Sequence, residues 1–396
     1  MPPVLNIIAL ASFAAALSMR ALDPVLPHVA DELAVTIAIA AGLSSALAFT
    51  FAITQPVLGA AADMFGKAKL MVFCLVLLGV ANVLGAMTNS YPLLLATRVL
   101  AGIGAGGVFP VTLSLTADLV GPLKRQVAIS RVLAGSMAGN LLGATASGVI
   151  GDMFGWRGVL AILGGLAILS SVAVSIGFKN AKLAKPPGRV DLAVLRSGYR
   201  TIFRNPNTLI CYSAVFIEGS CIFGLFPYIA SFLFERGVTS LSIAGLVLAC
   251  FAFGGLFYTG SVSRMLPRLG VNGMMVWGGL LMGAQLAVMA FGPPWQAQAL
   301  SLLVMGWGFY MLHGSLQIFS SELSQEARAS AMSLHAFCFF MGQSVGPIAY
   351  GFSIAHLGKL PTLLTTAVII GALGFFCAKR LKPIRPADAP APNDLN

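Results

Sequence analysis

Residues 139–148 read GNLLGATASG and residues 342–351, 203 positions further on, read GQSVGPIAYG, so Gly139, Gly143 and Gly148 fall on Gly342, Gly346 and Gly351. The match extends upstream. Ala117-Asp118-Leu119 pairs with Ser321-Glu322-Leu323 at a shift one residue larger, and Arg125, Ala128 and Ser130 meet Arg328, Ala331 and Ser333. Each matched segment leaves one apolar stretch, crosses a short charged loop and enters the next. The chain reads as two parallel copies of one unit.

Composition says what that unit is made of. With 58% hydrophobic and 9% charged residues, the chain departs from soluble domains, in which about 25% of residues are charged. A membrane span takes about 20 apolar residues. Twelve are placed, at 4–26, 37–62, 68–88, 91–119, 126–150, 155–178, 207–235, 241–264, 270–292, 296–321, 328–354 and 359–380. The predicted fold is an all-α polytopic membrane protein of two pseudo-symmetric six-helix bundles. The domains are an N-terminal bundle (1–178), a linker (179–206), a C-terminal bundle (207–380) and a disordered tail (381–396). Duplicated bundles of this kind are the design of secondary transporters, whose solute site lies between the halves.

The formal charge of +11 follows topology. Eighteen of the 24 basic residues lie in alternate connections, in the linker and in the tail, whereas the other connections carry Arg157, Arg236 and Lys359. This positive-inside bias puts both termini in the cytoplasm and the chain in the cell (inner) membrane. It also argues against nucleic acid, which requires basic residues clustered on one folded surface. The six cysteines all fall inside spans without paired spacing, so neither a disulfide framework nor a zinc site is expected. The first apolar stretch has no basic leader and is kept as span one. Within the linker, residues 190–204 read as an amphipathic helix for the inner leaflet, with Leu192, Val194 and Leu195 among arginines. The Gly-x-x-x-Gly spacings of spans five and eleven (Gly135, Gly139, Gly143; Gly342, Gly346) allow close helix approach. They fit two readings: the meeting of the lobes, or static packing.

The connection after span two, Gly59-Ala-Ala-Ala-Asp63-Met64-Phe65-Gly66-Lys67-Ala68-Lys69, resembles the signature loop of the major facilitator superfamily. Span four resembles that family's second motif in Arg98-Val-Leu-Ala-Gly102-Ile-Gly104, ending in Ala117-Asp118 and Arg125. Asp23-Pro24-Val25-Leu26-Pro27 in span one is similar to the drug:proton antiporter branch. There are two departures: Met64 replaces the usual arginine, and Asn140 stands where span five commonly has proline. The resemblance implies a cavity between the lobes that opens alternately to each side. It also implies a conformational-switch loop of Gly59, Asp63, Gly66, Lys67, Asp118 and Arg125.

Ionisable groups inside spans are functional candidates by default. Arg20 and Asp23 share a helix face of span one, and depth puts Arg98 of span four level with Asp23. An ion pair inside the lobe is expected, serving either proton coupling or the locking of spans one and four. Glu218, at the middle of span seven without a basic residue within a turn, is the leading proton-coupling candidate, with cation binding as its alternative. His313 and Gln343 follow as solute contacts, with Gln55 near the inner end of span two. Phe223, Phe226, Tyr228, Trp307 and Tyr310 form a candidate aromatic wall. Arg20 and Arg98 facing the cavity would favour an anionic solute, and Glu218 dominating it a cation.

Gly102-Ile-Gly104-Ala-Gly106-Gly107 satisfies a dinucleotide fingerprint but lies within a span, without the strand that fingerprint needs. No P-loop or hydrolase motif occurs, so no cofactor, metal or enzymatic activity is expected. The chain is read as a monomeric transporter moving a small organic solute, by proton-coupled efflux. The alternatives are uptake of a nutrient such as an organic acid and, more remotely, a transport-inactive sensor.

Overall fold

The computed structural model describes residues 4–120, 122–179, 192–324 and 327–381, nearly all of them helical. Among the described residues, nine stretches are long and apolar enough to cross a membrane. Two of these are pairs of crossings. Pro122–Phe178 reverses at Gly155 and Leu241–Ala290 reverses at Gly270. Arg328–Leu357, which carries His335, Gln343 and Ser344, completes the twelve. The face bearing Val4, Lys67, Pro122, Thr208, Arg328 and Arg380 is called the basic face; the other is the opposite face.

The duplication reaches the backbone. Span one (Val4–Glu32) is a helix over Val4–Ser18, a 3₁₀ turn at Asp23–Val25 and a helix over Leu26–Glu32. Span seven breaks equivalently, between Thr208–Phe223 and Phe226–Phe234. Pro24 and Pro227, 203 positions apart, explain both breaks. Proline has no N–H, and its ring collides with the carbonyl four residues earlier in a continuous helix, here that of Arg20 or Phe223. The sharp reversals at Gly66, Gly155, Gly270 and Gly358 have φ of 92°, 67°, 64° and 86°, the left-handed region that side chains disfavour. They too fall into matched pairs, Gly66 with Gly270 and Gly155 with Gly358. At the opposite face, Glu32 pairs with Arg157 and, equivalently, Glu235 with Lys359 at 2.9 Å. Each pair ties the first crossing of a lobe to its last. They are partly exposed, so they select geometry more than they stabilise.

The Gly-x-x-x-Gly rows pack inside the lobes. Gly139 and Gly143 lie against the carbonyls of Phe13 and Leu17 in span one, and Gly342 and Gly346 against those of Phe216 and Ser220 in span seven. The glycines that meet the other lobe are the last of each matched run. Gly148 touches the Leu241 backbone, and Gly351 has Ala38 Cβ 2.8 Å from where its own Cβ would stand. Ala38 and Leu241 are themselves 203 positions apart, so one symmetric contact is made twice near the opposite face.

The linker helix spans Leu192–Arg204. Ile202 is buried against Tyr212, Leu323 and Ala331, so this helix docks onto the second lobe, while Arg200, Phe203 and Arg204 stay exposed. Residues 180–191 of the expected linker and 382–396 of the expected tail lie outside the described residues.

Candidate functional site

Between the lobes is a cavity of about 320 Å³, reached by residues of spans one, two, four and five on one side and seven, eight, ten and eleven on the other. Its polar wall is supplied by Ser12, Arg20, Gln55, Ser136, Asn140, Tyr310, His313, Gln317 and Gln343. Phe51, Phe109, Phe223, Phe226, Phe251, Phe309, Phe339 and Phe340 supply the rings. Phe51 and Phe340 meet across the lobes at 4.4 Å between centroids.

Arg20 bridges the lobes at the end of the cavity nearer the opposite face. Its guanidinium donates to Asp23 Oδ2 at 3.4 Å and to Gln343 Oε1 of the other lobe. It also lies over Phe223, 4.6 Å from the ring centroid, and over Phe226 at 5.2 Å. Asp23 is fully buried behind it and accepts from Ser44 Oγ at 2.7 Å. Beyond this layer Asp152, in the turn between spans five and six, caps the start of span eight. Its carboxylate accepts from Leu241 N at 2.9 Å, Ser242 N at 2.8 Å and Ser240 Oγ at 3.0 Å. The free N–H groups of one lobe's helix are thus satisfied by a carboxylate of the other. The cavity is closed toward the opposite face.

Glu218 does not line the cavity. It is fully buried behind His313, with His313 Nδ1 2.7 Å from Glu218 Oε2. His313 Nε2 lies 3.3 Å from Gln317 Nε2. With the Gln317 amide in this orientation its nitrogen donates, Nε2 accepts, and the imidazole proton falls on Nδ1, facing Glu218. Phe309 stacks on the imidazole at 4.8 Å, and Phe339 and His335 approach it at 4.7 and 5.0 Å. Glu218 Oε1 has no partner. The arrangement sets one imidazole between the cavity and the sealed carboxylate.

Other expectations are placed differently. Arg98 does not pair with Asp23. It is buried, donates to Asn82 Oδ1 at 2.8 Å, and leaves Nε and Nη1 without partners. No carboxylate lies within 4 Å of it among the described residues. A void of about 10 Å³ beside Ser18, Ser44 and Arg98 has room for one water. Sequence depth sets Arg98 and Asp23 level, but the azimuth that turns Asp23 toward Arg20 and Ser44 is not legible from it. Trp307 does not line the cavity. Its Nε1 donates to Ser261 Oγ at 3.2 Å, and Phe257 packs on it. Tyr228 is likewise engaged elsewhere, with Pro347 O at 2.7 Å. In the loop that resembles the family signature, Gly66 takes its left-handed turn and Lys67 Nζ meets Asp118 Oδ2 at 2.6 Å. The side-chain surroundings of Gly59, Asp63 and Arg125 lie outside the described residues.

Ten polar or aromatic wall residues carry no sequence signal as solute contacts, among them Asn140, Gln317, Phe251, Phe309 and Phe339. His335 is a further addition. It is buried behind His313, its Nδ1 2.7 Å from Ser320 Oγ and its Nε2 unpartnered. For His335 a signal does exist, namely an ionisable residue inside a span.

Two pseudo-symmetric bundles enclosing a polar-and-aromatic cavity at mid-membrane define a secondary transporter. Residues 8–347, and again 239–396, match the Major Facilitator Superfamily, and the chain belongs to that family. It is 25% identical over 406 residues to a chloramphenicol resistance protein of Streptomyces lividans, covering 99% of each chain. It is 24% identical to the inner membrane transport protein YdhP of Escherichia coli K12, covering 90% of this chain and 91% of that one. The fold matches a crystal structure of a bacterial homologue of the human lysosomal transporter Spinster, with TM-score 0.78, 17% identity, and 96% and 98% of the two chains covered. It also matches the nucleoside transporter NupG with TM-score 0.79, 15% identity, and 96% and 99% covered. The protein is a polytopic membrane transporter of a solute and not an enzyme.

Proposed function

We propose that this transporter exports a small organic solute in exchange for protons, with its basic face in the cytoplasm and its two bundles, 1–178 and 207–380, rocking about the cavity. The observation that carries the coupling is the Glu218–His313 contact: a carboxyl sealed from solvent, reached from the cavity through an imidazole that lines it. In the proposed cycle His313 Nε2 leaves Gln317, takes a proton from cavity water, and passes the Nδ1 proton to Glu218. Solute loading and proton loading then draw on one wall. Efflux is supported by the resistance protein of Streptomyces lividans, alike over its whole length, and by the likeness of spans one and four to the antiporter branch.

The test is counterflow and pH-gradient-driven accumulation in proteoliposomes, over a solute panel and with both gradient directions. Glu218→Gln is expected to abolish gradient-driven accumulation and spare solute exchange. Full gradient-driven activity in that variant clears Glu218 of the role, and accumulation only with an inwardly coupled gradient makes the protein an importer.

A further inference from the structure

The geometry points to a solute class: an aromatic amphiphile without positive charge, neutral or monoanionic, presenting a hydrogen-bond acceptor to Arg20. This rests on the reading of the central cavity as the solute site. No aspartate or glutamate lines that cavity among the described residues. The two nearest carboxyls are sealed off, Asp23 behind Arg20 and Glu218 behind His313, each fully buried. Arg20 is the lysine-or-arginine charge on the wall. Paired with Asp23 behind it, it forms a dipole whose positive end faces the solute.

Aromatic rings attract cations, so that pull has to be weighed. A cation over a ring gains a modest attraction, greatest when the ring is desolvated and unshared. Two of the rings, Phe223 and Phe226, already carry the Arg20 guanidinium. Phe223 also meets Phe251, Phe309 and Phe339 edge to face, which uses ring edges and faces on one another. Against that, a charge taken out of water without a counter-charge forfeits more hydration than one ring contact returns. The missing counter-ion wins, and organic cations are disfavoured. Donors that remain on the wall include the Arg20 guanidinium, the Asn140 amide, and the Gln55 amide and Ser12 hydroxyl, whose Nε2 and Oγ have no partner. They suit carbonyl, nitro or carboxylate oxygens. A bound acceptor would compete with Gln343 for Arg20, so the solute itself would loosen the bridge between the lobes.

The test uses the full chain in lipid nanodiscs and three probes sharing one ring system: 2-acetylnaphthalene, 2-naphthoate and (2-naphthylmethyl)trimethylammonium, titrated calorimetrically. The ketone and the carboxylate are expected to bind, and the ammonium at least about tenfold more weakly. Arg20→Gln is expected to weaken the carboxylate about tenfold more than the ketone, and Arg20→Lys to recover most of that difference. Should both variants fail to fold, the wild-type charge order still decides. Preference for the ammonium, or no binding by any of the three, overturns the proposal. Binding is read without a gradient, so failed proton coupling would leave this result standing, and a failed charge order would leave proton-coupled export standing.

Discussion

Gly148 and Leu241 are in backbone contact across the lobes, and their equivalents 203 positions away, Gly351 and Ala38, make the same contact on the other side of the molecule. A methyl group at either glycine has to displace backbone or a buried tyrosine hydroxyl. Overpacking of this kind costs about 1–3 kcal/mol, and the lobes can relieve it by parting. Gly148→Ala and Gly351→Ala are each expected to shift the population toward the state open at the opposite face, by about tenfold for every 1.4 kcal/mol. A cysteine placed by Ala38 or Leu241 should then label faster with a membrane-impermeant maleimide. Unchanged labelling in both variants would mean that the helices part without consequence for the gate.

The Asp152 cap breaks the symmetry. The equivalent position is Ala355, so one side of the closed face is latched by a carboxylate, and among the described residues the other has an apolar contact of Gly351 with Ala38. Partial burial opposes ionisation of Asp152, but the hydrogen bonds from Ser242, Leu241 and Ser240 outweigh it and hold the carboxyl below the usual carboxylate range. A carboxyl lowered in the folded state stabilises above its unfolded pKa of about 3.9 and loses that contribution only as pH falls through the lower folded value. The latch is therefore expected to stay intact from pH 8 to pH 5. Asp152→Ala should open the same face at every pH in that window, and the maleimide assay with pH varied on that side reads both effects. Opening of the wild type at pH 5 would mean that the Asp152 carboxyl is raised, not lowered, in the folded protein.

Twelve crossings and their duplication were legible because a bilayer enforces long apolar runs, and because Pro24/Pro227 and Gly155/Gly358 recur at one spacing. Depth was legible too, since each crossing advances a fixed rise per residue. Rotation about the helix axis was not. In an apolar span most faces are hydrophobic, so nothing local distinguished Phe309 and Phe339, which line the cavity, from Trp307, which does not. The same blindness set Asp23 beside Arg98 and missed that Glu218 has His313 across the lobe. His335 was within reach of the rule that flags titratable residues in spans.

Arg98 gives a prediction in which stability and function part. Its charge is buried with one hydrogen bond to Asn82 and two unpartnered nitrogens. Replacing a buried, poorly compensated charge by an apolar side chain of similar length is often neutral or stabilising. Arg98→Met is thus expected to melt at or above the wild-type temperature in detergent while losing transport. A marked drop in melting temperature would mean that Arg98 holds spans three and four together, and its place would be structural.

The Glu218–His313 pair should behave as one unit. If protons reach Glu218 only through the imidazole, removing either group interrupts the same step, and removing both adds nothing. Glu218→Gln, His313→Phe and the double variant are expected to show the same residual pH-driven accumulation, that of gradient-free equilibration. His313→Phe keeps a ring between Phe309 and Phe339, which limits collapse of the wall. Initial rates in proteoliposomes at a fixed pH difference, normalised to solute exchange, measure the coupling alone. Gradient drive surviving in His313→Phe but not in Glu218→Gln would show a second path to the carboxyl, and His335, 5.0 Å from the His313 ring with its Nε2 unpartnered, would be the residue to remove next.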